Sequence, residues 1–152
     1  MTLMKEKIIK YLKEAFFFIA LLFILSTALS LYRTSEMKIK DNVCKKGARI
    51  VYFWGSWCPV CKMTSPNVQR VSKRFNVLAV AVRSGDERQV RAYMQKEGLD
   101  FPLLNDKDAQ IAQENGVDVY PTLVFCQNAK VKMTESGYMS TFGIWLRALL
   151  FT

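Results

Sequence analysis

The feature that most constrains this chain is a run of uncharged, mostly apolar residues near its N-terminus. Residues 15–32 have the sequence AFFFIALLFILSTALSLY, 18 positions without a charged side chain. As an α-helix such a run is about 27 Å long, close to the hydrocarbon thickness of a lipid bilayer. We therefore expect residues 15–32 to form a single transmembrane anchor and the rest of the chain to fold outside the membrane.

The charges beside this run predict its orientation. Four lysines precede it within residues 1–14, and positively charged flanks stay on the cytoplasmic side of a membrane. The N-terminus is therefore expected in the cytoplasm, the anchor in a bacterial inner membrane and the remaining chain in the periplasm. A cleaved signal peptide is the alternative, because residues 15–25 have the length of its apolar region and residues 28–30 resemble a cleavage site. Both interpretations export the domain.

The composition excludes several kinds of site. The 152 residues include no histidine, which removes histidine general bases, histidine-ligated metals and axial histidines of haem. The formal net charge is +9, but lysines and arginines are spread without a basic run, as on a solvated surface. We therefore expect no nucleic-acid partner, no resident metal and no cofactor.

The remaining sequence predicts a linker and one domain. Residues 33–47 are polar and lysine-rich with a turn signal at 45–47, which is typical of a linker. In residues 48–152 strands and helices alternate, and the uninterrupted apolar run 77–82 is typical of a parallel sheet. The predicted strands are 49–54, 77–82, 101–104 and the hairpin pair 122–126 and 131–137. Four helices are predicted. The first follows Cys58 and has a kink at Pro66, the second begins at a capping box in 84–87, and the third covers 109–115. The last ends the domain, with an apolar face formed by Phe142, Trp145, Leu146 and Leu149.

Two cysteines separated by two residues lie where the first strand is predicted to meet its helix. In residues 54–62, WGSWCPVCK, Cys58 falls where the free N–H groups and positive dipole end of a helix stabilise a thiolate. Cys58 is therefore the candidate nucleophile. Cys61, one turn inside the helix, would attack the resulting mixed disulfide and release the product.

The same cysteine pair could instead hold a metal. A structural zinc site needs a second Cys-x-x-Cys pair, whereas Cys44 and Cys126 stand alone. Copper(I) between the thiolates of Cys58 and Cys61, with Met63 nearby, is a chemically reasonable alternative. The helix-terminal position of Cys58 favours redox chemistry over both.

Four segments resemble known proteins. Residues 50–62 are similar to the active-site segment of the thioredoxin superfamily, and residues 119–125, VYPTLVF, to the segment that carries its cis-proline. Residues 77–104, with their RSGD and DFP motifs, resemble the membrane-tethered, periplasmic branch of the TlpA and ResA proteins. Residues 136–143 most resemble the suppressor-of-copper-sensitivity protein D group within that branch.

This resemblance implies a thioredoxin-like fold, a central mixed sheet flanked by helices with a TlpA-type strand–helix insertion. It also implies a thiol:disulfide oxidoreductase that exchanges electrons with periplasmic protein thiols and disulfides, with a membrane-bound electron donor or acceptor. Two alternatives stay open. One is a thiol reductant for cytochrome c maturation, and the other is a copper(I)-binding chaperone without turnover, linked to copper tolerance.

The resemblance also assigns residues to a substrate-binding surface. The bond between Tyr120 and Pro121 would be cis, which brings their loop beside the nucleophile and leaves the Tyr120 backbone for an extended substrate segment. Trp57 and Pro59 would shape the same surface. Tyr52 stands where thioredoxins have a buried acid, so the proton acceptor for the second cysteine is unassigned. Pro59 and Val60, between the cysteines, include no histidine to stabilise a thiolate, so a reducing poise is expected.

Cys44 and Cys126 form a possible second disulfide. In a thioredoxin-like arrangement strand 49–54 runs antiparallel to strand 122–126, which places Cys126 close to Arg49. Cys44 lies five residues before Arg49, and the turn signal between them could fold it back. The alternative is that Cys126 is an ordinary buried hydrophobe and Cys44 lies in a mobile linker.

Overall fold

The structure, a computed structural model, describes residues 2–36, 39–44 and 47–152. Outside the described residues lie Met1 of the predicted cytoplasmic segment and, from the predicted linker and its turn signal, Met37, Lys38, Lys45 and Lys46. The helices are α1 (Thr2–Glu36), α2 (Pro59–Ser72), α3 (Glu87–Lys96), α4 (Gln110–Glu114) and α5 (Thr141–Phe151), with a 3-10 helix at Asp41–Cys44. The strands are β1 (Ile50–Trp54), β2 (Val77–Val82), β3 (Leu103–Asp106), β4 (Thr122–Gln127) and β5 (Lys130–Ser136).

The five strands form one mixed sheet in the order β3-β2-β1-β4-β5. β1 pairs in parallel with β2 and antiparallel with β4, so Ile50 lies opposite Val77 on one side and Phe125 on the other. All residues of β1 are buried, as its β-branched and aromatic side chains favour. The predicted antiparallel pairing of β1 with β4 is confirmed, and β1 is the middle strand of the sheet.

Helices cover both faces of this sheet. On one face α2, α3 and α5 contribute buried side chains, among them Val68, Val90 and Ile144. On the other face α4 and the 3-10 helix contribute Ala112 and Cys44. Because β2 is covered on both sides, its residues are apolar without alternation. The segment predicted as a linker thus supplies a buried residue to the core.

α2 begins at the cysteine pair. Cys58 is the N-cap residue with an extended backbone, and Pro59 takes the first helical position, where its missing N–H leaves no hydrogen bond unmade. Pro66 lies inside the helix. The strand β1 and the helix α2 therefore hold Cys58 at the carboxyl end of the central strand and Cys61 one helical turn farther on.

Two predicted boundaries are displaced by two residues. The N-cap of α3 is Asp86, whose carboxylate accepts the N–H of Gln89 while the Gln89 side chain accepts the N–H of Asp86, each at 2.8 Å. The capping box predicted within 84–87 is therefore wrong in register. β3 also starts later than predicted, at Leu103, because Pro102 has no N–H to donate to the ladder.

The apolar face predicted for α5 is wrong. Three of its four side chains are exposed: Phe142, Trp145 and Leu149. The helix buries another set: Ile144, Arg147 and Ala148. Because α5 is apolar on nearly every side, its hydrophobic pattern does not determine which side packs. Arg147 is accommodated because its Nε lies 2.7 Å from a carboxylate oxygen of Glu135.

α1 extends past the predicted anchor, to Glu36. Within it Glu6–Leu29 is long and apolar enough to cross a membrane. Its described side chains are exposed apart from the half-buried Ala20, Phe23 and Thr27. Arg147 donates a hydrogen bond of 2.9 Å to the Ser26 hydroxyl and lies over the Phe23 ring, so α1 contacts the domain beside β5.

Candidate active site

The two cysteines of the Cys-x-x-Cys motif are joined by a disulfide at the start of α2. Their Cα atoms are 5.2 Å apart, a separation within the usual range for a disulfide. Cys61 is fully buried, whereas Cys58 keeps 4% of its surface exposed. Of the two cysteines, Cys58 is therefore the one nearer to the surface.

The start of α2 provides a favourable electrostatic environment for the Cys58 sulfur. The backbone N–H of Cys61 points at Cys58 Sγ, with a nitrogen–sulfur distance of 3.2 Å. A helix N-terminus carries a partial positive charge in addition to this N–H. Both effects stabilise a thiolate more than a thiol, so reduction of the disulfide would leave Cys58 as the more acidic of the two cysteines.

The loop that precedes β4 lies against Cys58. The peptide bond between Tyr120 and Pro121 is cis, as the resemblance implied. The Tyr120 carbonyl oxygen is 3.7 Å from Cys58 Sγ. A disulfide sulfur carries no proton, so this is a contact in the oxidised form and becomes a hydrogen-bond position once a Cys58 thiol exists. The sequence-predicted Tyr120 and Pro121 are therefore brought together with the cysteine pair.

Trp57 connects two loops next to this site. Its indole N–H donates a 3.0 Å hydrogen bond to the carbonyl of Val82 at the end of β2. Its ring and that of Tyr120 are nearly perpendicular, with centroids 5.8 Å apart. The side chain is 53% exposed, so it forms part of the surface that surrounds Cys58.

Sequence reasoning missed the contribution of the loop between β2 and α3. The Ser84 hydroxyl accepts the backbone N–H of Ser56 at 2.9 Å and donates to the Val82 carbonyl at 3.1 Å. Ser84 was expected to take part in the capping box of α3. Because Ser84 is far from the cysteine motif in the sequence, no local pattern predicts this contact. It depends on the parallel pairing of β1 and β2.

Tyr52 occupies the core beside the turn that holds Cys61. Its hydroxyl lies 3.0 Å from the Ser65 hydroxyl and 3.4 Å from the Cys61 carbonyl oxygen, to which it donates. Burial raises the pKa of Tyr52 far above its ordinary value, more than the hydrogen bond with Ser65 lowers it. The phenol is therefore protonated at neutral pH and is not a base for Cys61.

The other two cysteines form a second disulfide at the opposite end of β1 and β4. Cys44 and Cys126 are 2% and 3% exposed, with Cα atoms 5.7 Å apart. The Cys126 N–H donates to the carbonyl of Arg49 at 2.9 Å, which confirms the predicted proximity of these two residues. This disulfide lies apart from Cys58 and fastens the residues before β1 to the sheet.

The metal alternatives have few supporting ligands. Within the ranges that the structure describes, no group of three or more histidine, cysteine, aspartate or glutamate side chains could hold a metal ion. Met63, considered as a copper(I) ligand, is 62% exposed.

Comparison with known proteins gives a family and a fold. Residues 27–134 match the model of the AhpC/TSA family. A thioredoxin-like protein of Haemophilus influenzae is 34% identical over 64% of this chain and 59% of its own length. The thiol-disulfide oxidoreductase ResA of Bacillus subtilis is 35% identical over 70% of this chain and 63% of its own length. The chain thus spans less than two thirds of each of these relatives.

A solved structure extends the comparison to three dimensions. The crystal structure of StoA from Bacillus subtilis superposes with a TM-score of 0.56 at 22% identity, covering 64% of this chain and 80% of that one. At this identity the match shows the fold alone. The mixed sheet flanked by helices that was predicted from the sequence is confirmed. The chain belongs to the AhpC/TSA family and has the thioredoxin-like fold.

Proposed function

We propose that this protein is a thiol:disulfide oxidoreductase in which Cys58 is the nucleophile and Cys61 the resolving cysteine. The observation that carries the proposal is the position of the disulfide. Cys58 caps α2, receives the Cys61 N–H on its sulfur and lies 3.7 Å from the carbonyl of Tyr120. The relatives named as thiol-disulfide oxidoreductases support the same activity.

The reaction consists of two exchange steps in the reducing direction. The Cys58 thiolate attacks one sulfur of a partner disulfide, forming a mixed disulfide while the partner's other sulfur leaves as a thiolate. The Cys61 sulfur then attacks Cys58 Sγ, which breaks the mixed disulfide and forms the Cys58–Cys61 bond. Two electrons pass to the partner, and the second partner sulfur leaves with the proton of Cys61. A dithiol donor must then reduce the protein again.

The partner is a protein segment in an extended conformation. The carbonyl of Tyr120 beside Cys58 offers a hydrogen-bond acceptor to the backbone of such a segment. Trp57 and Pro59 flank Cys58 along the chain, and Val60, Met63 and Val119 add exposed apolar surface. Apolar side chains left exposed on the start of α2 and before the cis-proline favour a polypeptide partner over a small charged thiol.

The site of action is the far side of a membrane. Glu6–Leu29 of α1 has the length and composition of a membrane span, and the lysines within residues 1–14 favour a cytoplasmic N-terminus. A domain exported in this way meets periplasmic protein thiols and disulfides, and a membrane-bound dithiol protein is a suitable electron donor. The disulfide of Cys44 and Cys126 fits an oxidising compartment.

The test is to trap the mixed disulfide. The reduced full-length chain, in detergent, is mixed with a disulfide-bonded peptide, and exchange is followed by mass spectrometry. Cys58→Ser should abolish exchange, whereas Cys61→Ser should accumulate a covalent adduct with the peptide. The Cys44→Ser, Cys126→Ser double variant is the matched control and should exchange normally.

Two additions to this experiment, a copper(I)-binding measurement and an apocytochrome c peptide, separate the proposal from its alternatives. A wild-type protein that binds copper(I) through Cys58 and Cys61 but never turns over the peptide would be a chaperone. A protein that reduces only the cysteines of an apocytochrome c haem-binding segment, and not an unrelated peptide, would be a dedicated maturation reductant. Turnover of both peptides supports the broader exchange activity.

A further inference from the structure

Two hydrogen bonds join the segment before Cys58 to the end of β2 and the loop after it, and a third lies within that loop. The carbonyl of Val82 accepts the indole N–H of Trp57 at 3.0 Å and the hydroxyl of Ser84 at 3.1 Å. The oxygen of the same hydroxyl accepts the backbone N–H of Ser56 at 2.9 Å. Ser84 is therefore bonded at once to its own strand end and to the active-site segment.

The backbone between Val82 and Ser84 has a conformation that allows the Ser84 hydroxyl to bond to both Val82 and Ser56. Arg83 has a φ of 48°, in the left-handed region that non-glycine residues rarely adopt. The N–H of Arg83 still donates to the Asp106 carbonyl at 3.0 Å, so the sheet is paired up to this residue. The reversal directly after it lets the Ser84 side chain turn back over the end of β2. Residues in such conformations persist where the surrounding structure requires them, often at functional sites.

The position of Trp57 also depends on Gly55. A Cβ atom at Gly55 would lie 2.6 Å from the indole ring, so the ring rests against bare backbone. The indole also meets the ring of Tyr120, with centroids 5.8 Å apart and an interplanar angle of 81°. The indole thus fills the space between the end of β2 and the loop whose carbonyl faces Cys58.

We propose that Ser84 is a positioning residue for disulfide exchange. Its hydroxyl holds the backbone of Ser56 and shares the Val82 carbonyl with Trp57, which keeps the indole against the cis-proline loop. The indole then forms a fixed side wall for the partner segment that approaches Cys58. This inference rests on the proposed exchange function, because the wall acts on the partner and not on the sulfur itself.

The kinetic test uses Ser84→Ala in the full-length chain. We expect the rate constant for reduction of a short disulfide-bonded peptide to fall about fivefold, the value of one hydrogen bond. The rate constant for alkylation of Cys58 by iodoacetamide should change less than about twofold, because this small reagent needs no contact with the indole. Ser84→Thr keeps a hydroxyl and should restore the peptide rate. Ser72→Ala is the matched control, since Ser72 also donates to a backbone carbonyl, that of Gln69.

A spectroscopic measurement reports directly on the position of the Trp57 indole. In protein labelled with 5-fluorotryptophan, the fluorine resonance of Trp57, assigned by its loss in Trp57→Phe, should shift in Ser84→Ala and recover in Ser84→Thr. The resonance of Trp54 should stay unchanged. This measurement tests the position of the indole even in a protein that shows no exchange activity, so it separates this inference from the proposed function.

Two results would overturn the inference. One is an unshifted Trp57 resonance in Ser84→Ala together with a peptide rate equal to wild type. The other is an equal fall in the peptide rate and in iodoacetamide alkylation, accompanied by a lower melting temperature, which would mean that Ser84 only supports the fold.

Discussion

The hydroxyls of Tyr52 and Ser65 lie 3.0 Å apart inside the core, next to the helical turn that carries Cys61. The Tyr52 hydroxyl also donates to the Cys61 carbonyl. Since burial raises the pKa of Tyr52, this pair fixes the backbone of α2 without exchanging a proton. The buried acid that the resemblance associates with the site is thus replaced by a neutral hydrogen-bonded pair, and Tyr52 provides no base for Cys61.

The raised pKa of Tyr52 predicts a loss of stability at alkaline pH. In the unfolded chain the phenol ionises near pH 10, whereas in the folded protein it stays protonated. Above that pH the unfolded state binds fewer protons, so the free energy of unfolding falls by up to about 1.4 kcal/mol per pH unit from this group. Tyr52→Phe lacks this loss. The free energy of unfolding of Tyr52→Phe should be about 1 kcal/mol below that of wild type at neutral pH. As the pH rises this difference should shrink and then change sign.

Urea unfolding of the oxidised proteins between neutral pH and about pH 11.5 checks this. Tyr138→Phe, at a residue that is 57% exposed, is the matched surface control. Parallel stability curves for wild type and Tyr52→Phe across the whole range would contradict the burial of a neutral phenol.

The N-terminal position of Cys58 on α2 predicts an acidic thiol. The Cys61 N–H and the helix dipole both stabilise the thiolate, so the pKa of the reduced Cys58 thiol should lie below the ordinary value of about 8.5. The rate of iodoacetamide alkylation against pH measures it. The low-pKa component should disappear in Cys58→Ser and persist in Cys61→Ser; the reverse pattern would exchange the roles of the two cysteines.

Much of the fold was predictable because local pattern and burial agree. The apolar strand before Cys58 is the central strand. The antiparallel pairing of β1 with β4, which places Cys126 beside Arg49, was implied by the thioredoxin-like resemblance and not by local pattern. The helix start at Pro59 follows from the properties of proline alone. For the strand before Cys58 and the start of α2, the local residue pattern is sufficient to predict the element.

Other features depend on contacts that are distant in the sequence. The left-handed Arg83 and the bond from Ser56 to Ser84 exist only once β1 and β2 are paired. In α5, apolar residues on every side hide the fact that Arg147 packs inward against Glu135. Local periodicity could not predict either arrangement.

The Cys44–Cys126 disulfide is predicted to act on stability and not on exchange. It closes a long loop, with the cysteines 82 positions apart, and in the chain-entropy model such a crosslink contributes about 4 kcal/mol. The Cys44→Ser, Cys126→Ser double variant should therefore unfold at lower urea concentration and still reduce a disulfide-bonded peptide at the wild-type rate. Mass spectrometry of non-reduced peptides from Cys58→Ser, Cys61→Ser should show the Cys44–Cys126 link; two free thiols would contradict it.

The apolar stretch of α1 predicts that the protein stays in the membrane with Cys58 on the far side. The uncharged part of Glu6–Leu29, from Ala15 onward, should hold the protein in the membrane during extraction by alkaline carbonate, because its exposed apolar side chains need a lipid environment. An alkaline-phosphatase fusion after Thr152 should be active, since that enzyme matures only outside the cytoplasm of bacteria. Replacing Lys5, Lys7, Lys10 and Lys13 with glutamate is the matched orientation control and should reduce the phosphatase activity. A carbonate-soluble protein whose N-terminus is found near Leu31 would instead establish cleavage of a signal peptide.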